Sequence, residues 1–137
     1  MPSRFQKITV VVPTYNERDN LPELVGQLTA LPLPNLYVLV VDDNSPDGTG
    51  EVADKLAVEA PRKVAVLHRT AKDGLGRAYI AGMLHALADG ADVVIQMDAD
   101  LSHPTSTIPM MVDALATEGV AVVLGSRYVQ GGRVAGD

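Results

Sequence analysis

The sequence contains no cysteine and no tryptophan, and its aromatic residues are four tyrosines and one phenylalanine. The lack of cysteine excludes disulfide bonds, zinc sites built on thiolates and a cysteine nucleophile. Such a chain is compatible with a reducing cytosol. Any catalytic or metal-binding chemistry therefore has to come from oxygen and nitrogen groups.

Basic residues are scarce as well. Lys and Arg number 11 against 17 Asp and Glu, which gives a formal net charge of -6. No run of Lys or Arg stands out, and this argues against a nucleic-acid surface of the usual basic kind. Any phosphate that the protein binds must be held by a few local residues.

Long hydrophobic runs are also missing. The longest, ITVVVP at 8–13 and LYVLVV at 36–41, are far shorter than the ~20 residues that cross a bilayer. The first residues, MPSRFQK, are not followed by the apolar stretch of a signal peptide. With 47% hydrophobic residues in a chain of 137, the composition instead predicts one compact domain with a real core.

Short runs rich in β-branched residues alternate along the chain with segments at helical spacing, of which Tyr79, Met83 and Leu87 are an example. This order predicts right-handed βαβ units, hence an α/β, Rossmann-like fold with a mostly parallel sheet covered by helices on both faces. The predicted strands are 7–13, 36–43, 63–69, 92–98 and 120–126, and the predicted helices are 19–30, 48–59, 75–89 and 105–117.

Polar motifs follow each predicted strand. PTYNE comes after the first, DDNSPDGT after the second, RTAKDGLG after the third, DADLSH after the fourth and GSRY after the fifth. Ligands of open α/β sheets bind beyond the carboxyl ends of the strands, where the strand order reverses. Neither G-x-G-x-x-G nor G-x-x-x-x-G-K-[ST] is present at these ends, which excludes the dinucleotide fingerprint and the P-loop.

Asp98 and Asp100 are the leading candidates for metal ligands. In an extended chain residues i and i+2 project to the same face, so a strand reaching residue 98 would bring the two carboxylates together. At about 5 Å and an effective dielectric of about 20 their repulsion is roughly 3 kcal/mol, which a cation would offset. Oxygen ligands without a histidine cluster indicate Mg or Mn, with Ser102 as a further ligand. Alternatively, Asp98 ends a strand and Asp100 caps the next helix.

A second acidic pair, Asp42 and Asp43, ends another strand. The segment DDNSPDG is rich in turn formers, but carboxylates here can also accept hydrogen bonds from a ribose or a base, and we give both interpretations equal weight. After the first strand, Pro13 fixes φ, Tyr15 is a candidate for packing on a base or ribose, and Glu17 is a candidate hydrogen-bond acceptor. The alternatives are hinge packing for Tyr15 and a solvated first-turn charge for Glu17.

Arg127 follows the last predicted strand. Most arginines at such positions are surface residues, but beside an acidic edge an arginine is a candidate for binding a phosphate through two parallel hydrogen bonds. His68, His85 and His103 show no spacing typical of metal ligands.

Taken together, VVPTYNERDNLPELV, VVDDNSPDGT, KDGLGRAY, MDADLSHP and GSRY resemble the polyprenol (dolichol) phosphate mannosyltransferases, a branch of the inverting family 2 glycosyltransferases. The motifs cover nearly the whole chain, and the combination of DDNSPDGT with DADLSHP is the specific part. The resemblance implies a GT-A fold, in which residues 1–137 form the nucleotide-sugar-binding part of the domain.

The resemblance also implies a reaction, the transfer of mannose from GDP-mannose to a polyprenyl or dolichyl phosphate with Mg or Mn as the cofactor. It implies that the guanosine is surrounded by Pro13, Tyr15, Glu17, Val41 and Asp43. The residues implied at the diphosphate and metal are Asp98, Ala99 and Asp100, and Arg127 is implied at the sugar or lipid phosphate. Catalysis is accordingly expected from Asp98, Asp100 and Arg127.

The chemistry of the residues agrees with this reaction, because a phosphate acceptor is already ionised at neutral pH and needs no general base. The alternatives are a family 2 enzyme that uses UDP-glucose, a non-catalytic nucleotide-binding module and, from another class, a metal-dependent phosphohydrolase. The last of these would be expected to place more His or Lys near the aspartates.

The end of the chain, YVQGGRVAGD, is glycine-rich, and we predict a loop there with no strand or helix to close the chain. We therefore expect a fragment, truncated at its C-terminal side, of a longer protein. In the family the continuation carries basic residues and helices that meet the membrane. The expected location is the cytoplasmic face of a membrane, with peripheral contact made through parts absent from this chain.

Overall fold

The computed structural model describes residues 5–70, 75–102, 104–118, 122–124, 127–130 and 133–135, and the side chains up to residue 114 within these ranges apart from that of Leu75. The described strands are β1 (Ile8–Thr14), β2 (Leu36–Asp42), β3 (Val64–His68), β4 (Val93–Gln96), β5 (Val122–Leu124), β6 (Arg127–Gln130) and β7 (Arg133–Ala135). The described helices are α1 (Leu21–Thr29), α2 (Thr49–Glu59), α3 (Leu75–Ala88) and α4 (Ile108–Glu118), the last preceded by a 3-10 turn at Thr105–Thr107.

The described strands form one sheet in the order β3-β2-β1-β4-β5-β6-β7. The pairs from β3 to β5 are parallel, and those of β6 with β5 and with β7 are antiparallel. Every residue of β1 is buried, as expected for a central strand covered on both faces. Because β2 and β4 lie on opposite sides of β1, the strand order reverses at β1. The predicted α/β fold with a mostly parallel sheet is confirmed.

The two faces of the sheet are covered by different helices. Val10 and Val12 of β1 pack in one core with residues of α1, α2 and α4. Val11 points to the opposite face, where it packs in a second core with residues of α3. This alternation along β1 is the period of two that every strand imposes. The sheet is therefore held between helical layers, and its carboxyl ends open at one rim.

Helix α3 approaches the sheet through small residues. Ala78, Gly82 and Ala86 are buried, whereas Leu87 is 52% exposed. A Cβ added at Gly82 would lie 2.4 Å from Cγ1 of Val11, and 2.8 Å from a methyl of Val41. Leu87, which lies at helical spacing from Tyr79 and Met83, is thus not buried against the sheet, because branched side chains project from the strands and leave room only for small residues.

The end of the chain differs from the predicted loop. Residues 127–130 and 133–135 form the antiparallel pair β6 and β7, so Arg127 begins a strand. The register pairs Gln130 with Arg133, and Gly131 and Gly132 between them lie outside the described residues. Two-residue Gly-Gly links between strands are a signal for a β-hairpin, and the prediction of a loop is wrong for residues 127–130 and 133–135.

Within the part of the chain that the structure describes, no helix has the length and apolar character needed to cross a membrane. The longest described helix, α3, has 14 residues.

Candidate functional site

The candidate site lies at the carboxyl ends of β1, β2 and β4, which we call the carboxyl edge. Adjacent strands of a sheet lie about 4.8 Å apart, so the loops after these three strands are neighbours. Among the described residues, each loop contains one non-glycine residue with positive φ: Asn16 at 59°, Asn44 at 61° and Leu101 at 64°. Such conformations are uncommon for residues with a Cβ, and they cluster at functional sites. The carboxyl edge therefore combines the topological switch point with three tightly turned loops.

Three backbone N–H groups of the loop after β1 donate hydrogen bonds to side chains of the segment that follows β2. Successive backbone N–H groups donate to side-chain oxygens, Asn16 to Ser45 at 3.0 Å, Glu17 to Thr49 at 2.9 Å and Arg18 to Asp47 at 3.3 Å. A hydrogen bond from the Thr49 hydroxyl is the largest cause that lowers the pKa of Asp47. The segment SPDGT therefore fixes the backbone that carries Tyr15 and Glu17.

Asp42 is committed to the architecture of these loops. Its side chain, 3% exposed, accepts hydrogen bonds from the Thr14 hydroxyl at 2.8 Å, the Ser45 hydroxyl at 2.6 Å and the Ser45 N–H at 3.1 Å. A Cβ at Gly50 would lie 3.0 Å from Oδ2 of Asp42, so the first turn of α2 approaches this carboxylate closely. The positive end of the helix dipole and the hydrogen bonds compensate its buried charge. These contacts favour the turn-forming interpretation of Asp42 over nucleotide contact.

Asp43 forms an ion pair with Arg69, a residue that the sequence analysis did not single out. Oδ1 of Asp43 lies 3.2 Å from Nη1 of Arg69, and the two side chains are 6% and 18% exposed. The backbone of both residues is anchored, because Asp43 N–H donates to the carbonyl of Thr14 and Arg69 N–H donates to that of Asp42. The pair orients the Asp43 carboxylate at the carboxyl edge, and its predicted contact with the nucleoside stays a prediction.

The other residues predicted to contact the nucleoside differ in how far their side chains are exposed. Tyr15 is 39% exposed, whereas Pro13 is buried. Glu17 is half-buried and accepts a hydrogen bond from the Asn20 side chain at 3.2 Å. Val41 is 0% exposed and lies against Gly82 of α3, so its side chain presents no surface to a ligand. Any nucleotide contact at Val41 would have to come from its backbone.

Asp98 and Asp100 lie in a turn rather than on an extended strand. Strand β4 ends at Gln96, and the chain turns through residues 99–101 with Leu101 in the left-handed conformation. Oδ1 of Asp100 accepts the N–H of Ser102 at 3.0 Å, which closes this turn. The prediction that a strand through residue 98 aligns the two acids is wrong, since the turn interrupts the strand period.

The two acids nevertheless share one neighbourhood, which is marked by Tyr79. The Tyr79 hydroxyl donates a hydrogen bond of 2.6 Å to Oδ1 of Asp98. Burial first, then this hydrogen bond, and then the charges of Asp98 and Asp100 raise the pKa of Tyr79. Both carboxylates therefore lie close enough to the phenol for their charges to act on it. Ala99 between them is 2% exposed and packs into the core, which anchors the turn.

The carboxylates at this turn fit a hard divalent cation whose coordination shell is completed by water and by a bound substrate. Among the described residues, no group of three or more His, Cys, Asp or Glu side chains converges as a metal site. Mg usually takes one or two protein carboxylates and fills its octahedron with water and substrate phosphates, so Asp98 and Asp100 suffice. A carboxylate has about four lone-pair sites, so the hydrogen bond from Tyr79 leaves Asp98 able to bind an ion.

Arg127 lies farther along the same edge of the sheet. The register pairs Arg127 with Leu124 and Leu124 with Gln96, the last residue of β4. Two strand spacings put the Arg127 backbone roughly 10 Å from Gln96. Its side chain lies outside the described residues, so its predicted phosphate contact stays a prediction. Ser102 is exposed beside Asp100, and its role as a metal ligand is likewise a prediction.

Comparison with known proteins identifies a family and similar enzymes. Residues 9–136 match the family described as Glycosyl transferase family 2. Polyprenol monophosphomannose synthase of Mycolicibacterium smegmatis is 49% identical over 129 residues, which are 94% of this chain and 48% of that protein. Undecaprenyl-phosphate mannosyltransferase of Micrococcus luteus is 49% identical over 128 residues, which are 93% of this chain and 51% of that protein. The chain thus spans about half the length of these curated relatives.

Solved structures agree with this result. Mannosyltransferase PcManGT from Pyrobaculum calidifontis in complex with GDP-Man and Mn2+ matches with a TM-score of 0.73 and 30% identity, over 85% of this chain and 34% of that chain. S. aureus TarS in complex with UDP-GlcNAc matches with a TM-score of 0.69 and 24% identity, over 83% of this chain and 32% of that chain, a likeness of fold alone. The predicted GT-A type and the predicted resemblance to polyprenol phosphate mannosyltransferases are confirmed. The chain belongs to glycosyl transferase family 2.

Proposed function

We propose that this chain is the donor-binding part of a metal-dependent, inverting enzyme that transfers mannose from GDP-mannose to a polyprenyl or dolichyl phosphate. The observation that carries the proposal is the acidic turn of Asp98 and Asp100 at the switch point of the sheet, beside two cross-linked loops. Relatives whose names state mannosyl transfer to polyprenyl phosphates, and a structural neighbour with bound GDP-Man and Mn2+, support this choice of donor and acceptor.

The loops after β1 and β2 are proposed to bind the guanosine. Tyr15 offers a partly exposed ring for packing on the base or ribose, and Glu17 and Asp43 offer carboxylates as hydrogen-bond acceptors. Because hydrogen bonds already hold the first loop against the second, these groups lose little conformational freedom when the nucleotide binds. This preorganisation favours binding of the nucleoside at the carboxyl edge.

The turn after β4 is proposed to hold the diphosphate end of the donor. Asp98 and Asp100 would bind the divalent cation, which when bound supplies Lewis-acid stabilisation of the charge on the departing GDP. Arg127 would bind a phosphate of the sugar nucleotide or of the lipid. The protein thereby brings fixed charges to the bond that breaks, between the anomeric carbon and the diphosphate oxygen.

The acceptor in this proposal is a lipid phosphate. Its oxygen attacks the anomeric carbon from the face opposite the diphosphate, and this inverts the configuration. A phosphate monoester has a second pKa of about 6, so the attacking oxygen is already ionised at neutral pH and no general base has to remove a proton. Because the acceptor is a lipid, we also propose that the protein works in peripheral contact with the cytoplasmic face of a membrane.

A thermal-shift titration tests the choice of donor. The 137-residue chain is heated with Mn2+ and equal concentrations of either GDP-mannose or UDP-glucose. A ligand at about 100 times its Kd stabilises the fold by about 2.7 kcal/mol, which for a domain of this size is a shift of roughly 10 °C. We expect this shift with GDP-mannose, a much smaller one with UDP-glucose, and its loss when EDTA replaces Mn2+.

The other outcomes separate the alternatives. An equal or larger shift with UDP-glucose would identify a different donor. A GDP-mannose shift without mannosyl transfer to a short polyprenyl phosphate would favour a nucleotide-binding module. If neither nucleotide shifts the midpoint at millimolar concentration, the proposal is wrong.

A further inference from the structure

The hydrogen bond between Tyr79 and Asp98 joins helix α3 to the turn after β4, the strand that follows this helix in the chain. Tyr79 lies in the first turns of α3, and Asp98 comes shortly after the end of β4. The oxygen–oxygen distance of 2.6 Å is in the range of about 2.5–2.7 Å found for hydroxyls that donate to carboxylates. The contact is therefore a strong, charge-assisted hydrogen bond from a helix to the acidic turn.

The position of the Tyr79 ring is set by the packing of α3. The ring is half-buried and packs against the core that includes Val11 and Val41. Gly82, three residues further along the helix, allows α3 to approach those two valines closely. A helix held this tightly against the sheet gives the phenol little freedom to move, so its hydroxyl is a fixed donor.

We propose that Tyr79 is a positioning residue, whose hydroxyl holds the Asp98 carboxylate in one orientation so that the carboxylate is ready to bind the divalent cation. This inference rests on the proposed function, because it assumes a cation at Asp98 and Asp100. The physical reason is general: groups that hydrogen-bond to metal ligands fix the orientation of those ligands, and their loss weakens metal binding. Without the Tyr79 hydroxyl, the Asp98 carboxylate would rotate freely until the ion binds. The entropy cost of fixing it would then weaken metal binding.

A positioning role and a purely structural role of this hydrogen bond predict different results. A purely structural role, in which the bond only ties α3 to β4, predicts a loss of stability instead of a loss of metal affinity.

The experiment compares Tyr79→Phe with Tyr37→Phe. Tyr37 is a matched control, because it lies near the start of β2, at the opposite end of the sheet from Asp98, and its ring lies under the ammonium groups of Lys7 and Lys63. Mn2+ binding is measured by electron paramagnetic resonance at a fixed, saturating concentration of GDP. We expect Tyr79→Phe to weaken Mn2+ binding about 10-fold and Tyr37→Phe to leave it unchanged.

Further readouts separate positioning from simple stabilisation. At saturating Mn2+, the GDP affinity of Tyr79→Phe is expected to return to the wild-type value, and its urea midpoint without metal is expected to stay near that of Tyr37→Phe. Wild-type Mn2+ affinity in Tyr79→Phe, or a loss of GDP affinity that saturating Mn2+ does not restore, would overturn the positioning role alone. If the unmodified protein binds GDP without any need for Mn2+, the metal site of the proposed function fails as well.

Discussion

Asp98→Ala is expected to weaken Mn2+-dependent GDP binding by about 100-fold or more, since loss of a group one step removed from a metal already costs about 10- to 100-fold. Asp98 is one of two acids at the turn after β4. Without it, Asp100 would be the one carboxylate at this turn left to bind the ion. The measurement is calorimetric titration with GDP in Mn2+ and again in EDTA. Asp100→Ala is expected to act in the same direction.

The matched control is Asp113→Ala, which removes an equal charge from an exposed position on α4. It should bind GDP as the unmodified protein does. The urea midpoint of Asp98→Ala without metal should fall, because the substitution removes the acceptor of the Tyr79 hydroxyl. Relief of the repulsion between Asp98 and Asp100 offsets part of this loss. Unchanged metal dependence in the folded Asp98→Ala variant would mean that the acidic turn is not the metal site.

Gly82→Ala is expected to destabilise the fold by about 2 kcal/mol. Alanine favours a helix interior over glycine by about 1 kcal/mol, but overpacking a core costs up to about 3 kcal/mol. Here the overpacking dominates, because the new methyl group would lie 2.4 Å from a methyl of Val11 and 2.8 Å from one of Val41. Both neighbours are stiff β-branched side chains on buried strands, so they cannot swing away. Urea unfolding of Gly82→Ala and of the unmodified protein measures the difference in the free energy of unfolding.

Gly26→Ala is the matched control for this substitution. Gly26 lies within α1, and a Cβ added there meets no atom within 4 Å apart from its chain neighbours and the backbone of its own helix. The same glycine-to-alanine change should therefore stabilise the protein, by about 0.5–1 kcal/mol. Opposite signs for the two variants are the expected result. If Gly82→Ala were as stable as Gly26→Ala, α3 would have to lie farther from the sheet than described, and Tyr79 would not be fixed in its contact with Asp98.

The fold was largely predictable because buried parallel strands are continuous apolar runs, as in ITVVVP and LYVLVV. The face of α3 was not, because helical spacing favours large apolar residues, whereas tight packing on a valine-rich strand selects Ala78, Gly82 and Ala86. The pair β6 and β7 was missed because glycine content was taken as a sign of a loop, although a Gly-Gly dipeptide also links hairpin strands.

The candidate site was predictable in place but less so in detail. Strand ends and topology were enough to locate Asp43 and Asp98 at one edge of the sheet. The ion pair of Asp43 with Arg69 and the hydrogen bond from Tyr79 depend on how separate elements pack, which no local pattern records. A signal existed for Tyr79, since a tyrosine on the buried side of a helix usually finds a partner for its hydroxyl.

The most direct test of the account is a crystal structure of this chain with GDP and Mn2+. We expect one ion bound to Asp98, Asp100 and the diphosphate, with the guanosine against the loops that carry Tyr15 and Asp43. An ion and a nucleotide bound away from the ends of β1, β2 and β4, or a diphosphate at this edge with no ion between it and the two acids, would contradict it.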